Sequence, residues 1–267
     1  MDYTELANHV RDSAEFEFPG VTVHLPRILG FQLTKLMVLD LIAAGLMLLI
    51  FIPLARRIRT GGAPKGFFWN FFEVMLVFIR DEVARPSIGN HDADRFLPYL
   101  WNVFFFILFC NMLGIVPWMG SPTGALTVTV ALAGFTFCVV VGSGVTKFGP
   151  AGFLASLVPH MELPKAIAVI LIPLIFVIEL VGLVIRHIVL AVRLLANMFG
   201  GHLVLAVILS FIISTAKMML FAWAGITLAS VVGSAAMTLL EIFVAFLQAY
   251  IFTFLSALFI GMAVHPH

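Results

Sequence analysis

The sequence predicts an all-α, polytopic membrane protein. Three observations carry that expectation. Of 267 residues only 11% are charged, against about 25% in ordinary soluble domains. Hydrophobic residues make up 62%, 27 of the residues are Phe, and the mean hydropathy is +1.12. From residue 36 onward, apolar runs recur that are long enough to cross a bilayer, which takes about 20 residues. This composition excludes a disordered chain and a disulfide scaffold. A formal net charge of +1 gives no polyelectrolyte signal, so no nucleic-acid partner is expected. Cys110 and Cys138 both lie in apolar runs and read as small buried hydrophobes.

Residues 1–35 form an acidic arm carrying Asp2, Glu5, Asp12, Glu15 and Glu17, with neither the basic start nor the apolar core of a secretory signal. Residues 36–267 read as one integral-membrane domain. The first span runs from about Leu36 to Leu54 and is followed at once by Arg56, Arg57 and Arg59. The positive-inside rule places these arginines in the cytoplasm, so the N-terminus lies outside. Gly61, Gly62 and Pro64 mark a turn. Residues 67–84 mix aromatics with Glu73, Arg80, Asp81 and Glu82, which suits an amphipathic helix lying at the cytoplasmic interface of the bilayer. Leu97–Met119 and Ala125–Val145 make a two-helix transmembrane hairpin. The first begins with Tyr99 and Trp101 and ends with Trp118, and Asn102 and Asn111 are its polar members. The second carries Gly134, Gly142 and Gly144 for close helix packing. Lys147, Pro150, Pro159, Pro164 and Lys165 suit a cytoplasmic loop over 147–165.

Two longer apolar stretches follow, about 166–215 and 218–264. A helix rises ~1.5 Å per residue and the hydrocarbon core is ~30 Å thick, so each stretch either spans twice or tilts steeply as one helix. Hydropathy does not choose between these.

Function is expected where charge is buried, because ionisable groups at bilayer depth are costly. The first long stretch carries Glu179, Arg186, His187, Arg193, Asn197 and His202, and the second carries Glu241 and Gln248. Spacings of seven keep Glu179, Arg186 and Arg193 near one helical face, which Asn197 shares. If the two stretches form an antiparallel hairpin over about 166–264, Arg193 and Gln248 share a midpoint of 220.5, and His202 and Glu241 one of 221.5. That register places the reversal near Phe221–Ala222, beside Lys217, with Arg193 level with Gln248 and His202 level with Glu241. With the N-terminus outside, Glu179 lies on the cytoplasmic side of Arg193 and the His202/Glu241 pair on the outer side. His202 is nine residues from Arg193, about 900° of rotation, and points to the opposite face unless Gly200 and Gly201 bend the helix. A permanent cation between two polar groups of different depth and azimuth suits two offset aqueous half-channels. Arg does not take up the proton it must block, whereas carboxyl and imidazole groups change protonation readily. Glu179 and Arg186 have the alternative of simply pairing with each other. His265-Pro266-His267 reads as a solvated tail, and no metal or cofactor signature is present.

The segments AVRLLANMFGGHLVL around Arg193 and LLEIFVAFLQAYIFTFLSALFI around Glu241 and Gln248 resemble subunit a of F-type ATP synthases. The family pattern is Arg-Leu-x-x-Asn-x-x-x-Gly followed by Gln-Ala-aromatic-hydrophobic-Phe. NMLGIVP and the FFE at Glu73 are similar to family segments as well. The resemblance implies two long tilted helices packed against a rotating ring of c subunits, with Arg193 matching the arginine that faces the ring carboxylate. His202, Glu241, Gln248, Asn197 and Glu179 would line the proton path. It also implies b subunits, a catalytic head reached through the peripheral stalk, and a lipid bilayer as partners. Nucleotide catalysis then lies on other subunits, and this chain has no P-loop. The His202/Glu241 order is the exchanged one of mitochondrial-type members, while the long arm favours a bacterial source. The expected location is the bacterial inner membrane, with the C-terminus cytoplasmic. The residues by themselves leave a self-contained secondary transporter as an alternative, although the inverted repeat such a protein would need is not visible.

Overall fold

The computed structural model describes residues 15–18, 21–28, 31–59, 66–116, 120–158, 165–215 and 220–265. Over these the membrane body is all-α. The helices are α1 (Lys35–Arg59), α2 (Phe67–Phe78), α3 (Arg85–Ile88), α4 (Ala93–Ile115), α5 (Leu126–Ser156), α6 (Lys165–Ser214) and α7 (Leu220–Val264). A π-helical turn, Ile79–Ala84, joins α2 to α3, and a 3-10 turn, Pro122–Gly124, precedes α5. Five of these helices, α1, α4, α5, α6 and α7, are long and apolar enough to cross a membrane.

Each long apolar stretch is one continuous helix, of 50 residues in α6 and 45 in α7. The reversal between them falls after Ser214 and before Leu220, not at Phe221–Ala222, which lie inside α7. Lys217, in residues 216–219, lies outside the described residues, as do the Gly61–Gly62–Pro64 turn, Trp118, the first fourteen residues and the last two.

Two further corrections concern the ends of elements. The segment after residue 147, expected as a loop, continues as helix to Ser156, with one interruption at Gly149 (φ 76°, ψ 167°). Gly149-Pro150 supplies the reason. Glycine accepts a left-handed conformation that closes one helix, and proline opens the next because its missing N–H is not needed there. The arm is not merely a charged extension. Glu15–Phe18 pairs antiparallel with Val21–His24, and Arg27–Ile28 with Phe31–Gln32. The Glu-Phe-Glu-Phe and Val-Thr-Val-His runs alternate with period two and contain β-formers, which is a hairpin pattern.

The chain divides into two compact units. One comprises Met1–Ile50, Phe105–Thr129 and Arg193–Ala249; the other comprises Phe51–Phe104, Val130–Val192 and Tyr250–His267. The first is cored by residues such as Leu39, Phe105, Ile107, Leu194, Ala245 and Ala249. The second is cored by Leu54, Ile79, Ile88, Leu100, Phe104, Leu190, Phe252 and Ile260. Cys110 is buried, whereas Cys138 is exposed on α5, contrary to expectation. In a spanning helix an apolar side chain is satisfied by lipid as well as by a protein core, so hydropathy does not tell the two apart.

Candidate functional site in the first unit

Within the first unit, α6 and α7 pack antiparallel through small residues. A Cβ on Gly201 would collide with the Glu241 carboxylate, and one on Gly233 would lie 4.0 Å from the Ile208 side chain. These pairs have midpoints of 221 and 220.5, so the register is the one read from the polar residues, although the helix break sits four residues earlier. Gly201 therefore serves close approach: α6 stays helical through it, and the absent side chain makes room for Glu241.

Glu241 lines a cavity of about 70 Å³ together with Asn197, Met198 and Gly201 of α6 and Met237 and Val244 of α7. A space above about 10–15 Å³ on this measure is roomy enough for water. Both carboxyl oxygens are buried, and neither has a hydrogen-bond partner among the described residues. Leaving such groups unsatisfied costs about 1–3 kcal/mol each, and the space beside them is polar enough to take a hydrogen-bonding guest. His202 lies on α6 one residue beyond Gly201, but its side chain is outside the described residues.

Arg193 lies on α6, two turns before Gly201, and its side chain is exposed. Neighbouring residues Val189, Val192 and Phe199 are exposed as well. Among the described residues Arg193 has no ion pair or hydrogen bond. Gln248 is buried at 4% exposure and its Nε2 has no partner there either; among the described residues the Arg193 guanidinium donates no hydrogen bond to its Oε1.

In the second unit, Glu179 and Arg186 are brought together: Arg186 Nη2 donates to Glu179 Oε1 at 2.7 Å, with both side chains about one-third exposed. His187 is buried between the rings of Phe137 and Phe259, and its Nδ1 lies 2.8 Å from the Leu183 carbonyl. Among the described residues no group of three or more His, Cys, Asp or Glu side chains is placed to hold a metal.

Two features of the first unit escape a reading of motifs. Asp40 is a carboxylate inside the first spanning helix, and its Oδ1 accepts the Cys110 thiol at 3.7 Å. Its presence in an apolar run was itself the available signal. The second is a buried chain of hydrogen bonds through Asn111, which sequence alone marks only as a polar residue in a span. Asn111 Nδ2 donates to the Ala245 carbonyl of α7 at 3.2 Å, and Thr123 Oγ1 donates to Asn111 Oδ1 at 2.6 Å.

The family model described as ATP synthase A chain matches residues 37–261. The chain belongs to the ATP synthase A chain family. Among similar proteins is ATP synthase subunit a of Chloroherpeton thalassium, 42% identical over 265 residues, covering 96% of this chain and 75% of that protein. ATP synthase subunit a of Myxococcus xanthus is 39% identical over 254 residues, covering 94% and 79%. That of Chlorobium phaeobacteroides is 40% identical over 268 residues, covering 97% and 74%. As a member of the ATP synthase A chain family, this protein has its Arg193, Asn197, Glu241 and Gln248 all inside the matched segment.

Proposed function

We propose that this chain is the proton-translocating subunit a of the membrane Fo sector of a bacterial ATP synthase, a stator subunit of the inner membrane. The carrying observation is Arg193, an exposed cation with no counter-charge among the described residues, on the helix that also walls the Glu241 cavity. A cation so placed needs an anion from another chain, and a c-ring carboxylate is the anion this family implies. A self-contained transporter would instead hold that counter-charge itself.

The geometry supports the following sequence. With the N-terminus outside, α6 rises from the cytoplasmic to the outer side. A 50-residue helix is about 75 Å long, so inside a ~30 Å core it lies steeply tilted. A proton enters from outside past His202 and the Glu241 cavity and protonates a ring carboxylate. The ring turns, and the proton leaves through a cytoplasmic half-channel near Glu179. Arg193 holds the arriving carboxylate ionised, since a nearby opposite charge favours the charged form. It thereby forces release and bars the direct route. Asn197 and Gln248 flank this passage. Each charge moving through 100 mV supplies ~2.3 kcal/mol, and several per turn drive phosphorylation on the catalytic head, which is held through b subunits.

Arg193→Ala is expected to abolish both ATP-driven acidification of inverted vesicles and coupled ATP synthesis, with the complex still assembled. Normal pumping by that variant would defeat the assignment.

A further inference from the structure

The hydrogen-bonded chain through Asn111 has a direction. Ser121 Oγ lies 2.8 Å from Thr123 Oγ1, Thr123 donates to Asn111 Oδ1, and Asn111 Nδ2 donates to the Ala245 carbonyl. Thr123 spends its proton on Asn111, so Ser121 donates to Thr123, and every donor points towards α7. The chain is buried: Asn111 and Thr123 are fully covered and Ser121 is 7% exposed. Ser121 is itself seated against Gly114, where any Cβ would overlap it. An asparagine amide can flip, but here a hydroxyl donor on one side and a carbonyl acceptor on the other permit one orientation.

What the amide grips is specific. At about 100° per residue, Ala245 and Gln248 lie roughly 40° and 20° to either side of Glu241, so the three share one stripe of α7. The Asn111 bond falls on the middle residue of that stripe, 134 positions away in sequence. Lipid rewards no particular face of a spanning helix, so its rotation is set by contacts within the protein, and this hydrogen bond is a directional one among them.

We infer that Asn111 is a positioning residue for proton transfer at Glu241: its amide, oriented by Thr123 and Ser121, fixes the rotational setting of α7 and so holds the Glu241 carboxyl in the cavity against Gly201. This rests on the proton-translocating reading above. No ionisable side chain other than Glu241 lines the cavity among the described residues. The setting of α7 therefore governs what surrounds the carboxyl.

The test measures ATP-driven acidification against pH in vesicles containing the whole complex, with subunit content checked by mass spectrometry. Asn111→Leu and Thr123→Val are expected to move the pH of half-maximal pumping in the same direction, by about half a unit or more. Thr123→Ser, which keeps the hydroxyl, is expected to retain the wild-type profile. If Asn111→Leu fails to assemble, Thr123→Val carries the test, because it leaves Asn111 in place and removes the hydroxyl through which Thr123 and Ser121 orient its amide. Assembled variants with an unmoved profile, whether or not the rate falls, overturn the inference. Normal pumping by Arg193→Ala would instead sink the underlying reading, and it does so independently of how Asn111 behaves.

Discussion

Gly201→Ala separates function from stability at a single methyl group. The new Cβ would collide with the Glu241 carboxyl, with Cδ at 3.1 Å and Cγ at 3.2 Å, while no backbone atom is among its closest contacts. The far end of a flexible side chain is what must move. Overpacking a rigid site costs about 1–3 kcal/mol. Here that is reduced because Glu241 can swing aside, and alanine in place of a mid-helix glycine gains about 1 kcal/mol. The net change in stability is therefore expected within about 1 kcal/mol of zero. The site fares differently. A methyl about the size of a water, ~30 Å³, takes a large share of the 70 Å³ cavity and displaces the carboxyl. Misplacing a reacting group by an ångström costs on the order of 10²-fold in rate. Thermal unfolding of the purified complex and ATP-driven acidification of vesicles measure the two effects. Wild-type pumping would refute the role of the Glu241 cavity. A stability loss above about 2 kcal/mol would refute the packing argument, since it would mean the helices and not the side chain had moved.

Two further predictions concern the second unit. The Asp92 carboxylate accepts Lys147 Nζ at 2.9 Å and also lies 3.2 Å from His265 Nε2, so it ties the start of α4 to α5 beside its Gly149 break and to the end of α7. The Lys147 hydrogen bond holds the Asp92 carboxyl below its usual range. A depressed carboxyl stabilises the fold above its unfolded value of about 3.9, and that contribution is lost as pH falls through the folded value. Acid titration of thermal stability should thus show a drop that Asp92→Asn lacks; parallel curves for the two proteins would contradict the clasp. At Gly261 a Cβ would strike the Ser87 carbonyl, a backbone atom that cannot swing away. Gly261→Ala should cost about 1–3 kcal/mol in thermal unfolding, and a neutral result would show that α3 and α7 do not meet so closely.

The parts legible in the sequence are those where one force dominates. Long apolar runs specify the spanning helices, and the positions of the polar residues give the α6–α7 register that the Gly201–Glu241 approach shares, because polar groups at equal depth leave a numerical trace. The position of the reversal is not legible from that trace, since α7 begins before the midpoint of the pairing. Gly149-Pro150 reads equally as a loop or as a junction between two helices, and only the conformation at Gly149 decides. Gly201 carries the same ambiguity between a bend and a close approach. Asn111 is marked in the sequence as a polar member of a span while Asp40 goes unremarked in its apolar run, and their partners, the Ala245 carbonyl and Cys110, are 134 and 70 residues away. Neither separation follows from any local pattern.

The two arginines of α6 show why the chain points beyond itself. Arg186 is one-third exposed yet matched by Glu179 one heptad earlier, and the pair as a whole is neutral. Arg193, one heptad later, has no such match among the described residues and stands among exposed aliphatic and aromatic side chains. Placing an unmatched arginine at the middle of a spanning helix costs about 2.5–3.5 kcal/mol on insertion scales. Had the role of the position been packing alone, leucine or valine, which surround it, would serve at no such cost. A cation retained there is intelligible if the missing carboxylate arrives on another subunit, and if it also leaves again, because a permanent partner could as easily have been built into the chain as Glu179 is for Arg186. An intermittent counter-charge is what a moving row of carboxylates supplies, and Arg193→Ala is the substitution whose phenotype decides whether that is what this surface meets.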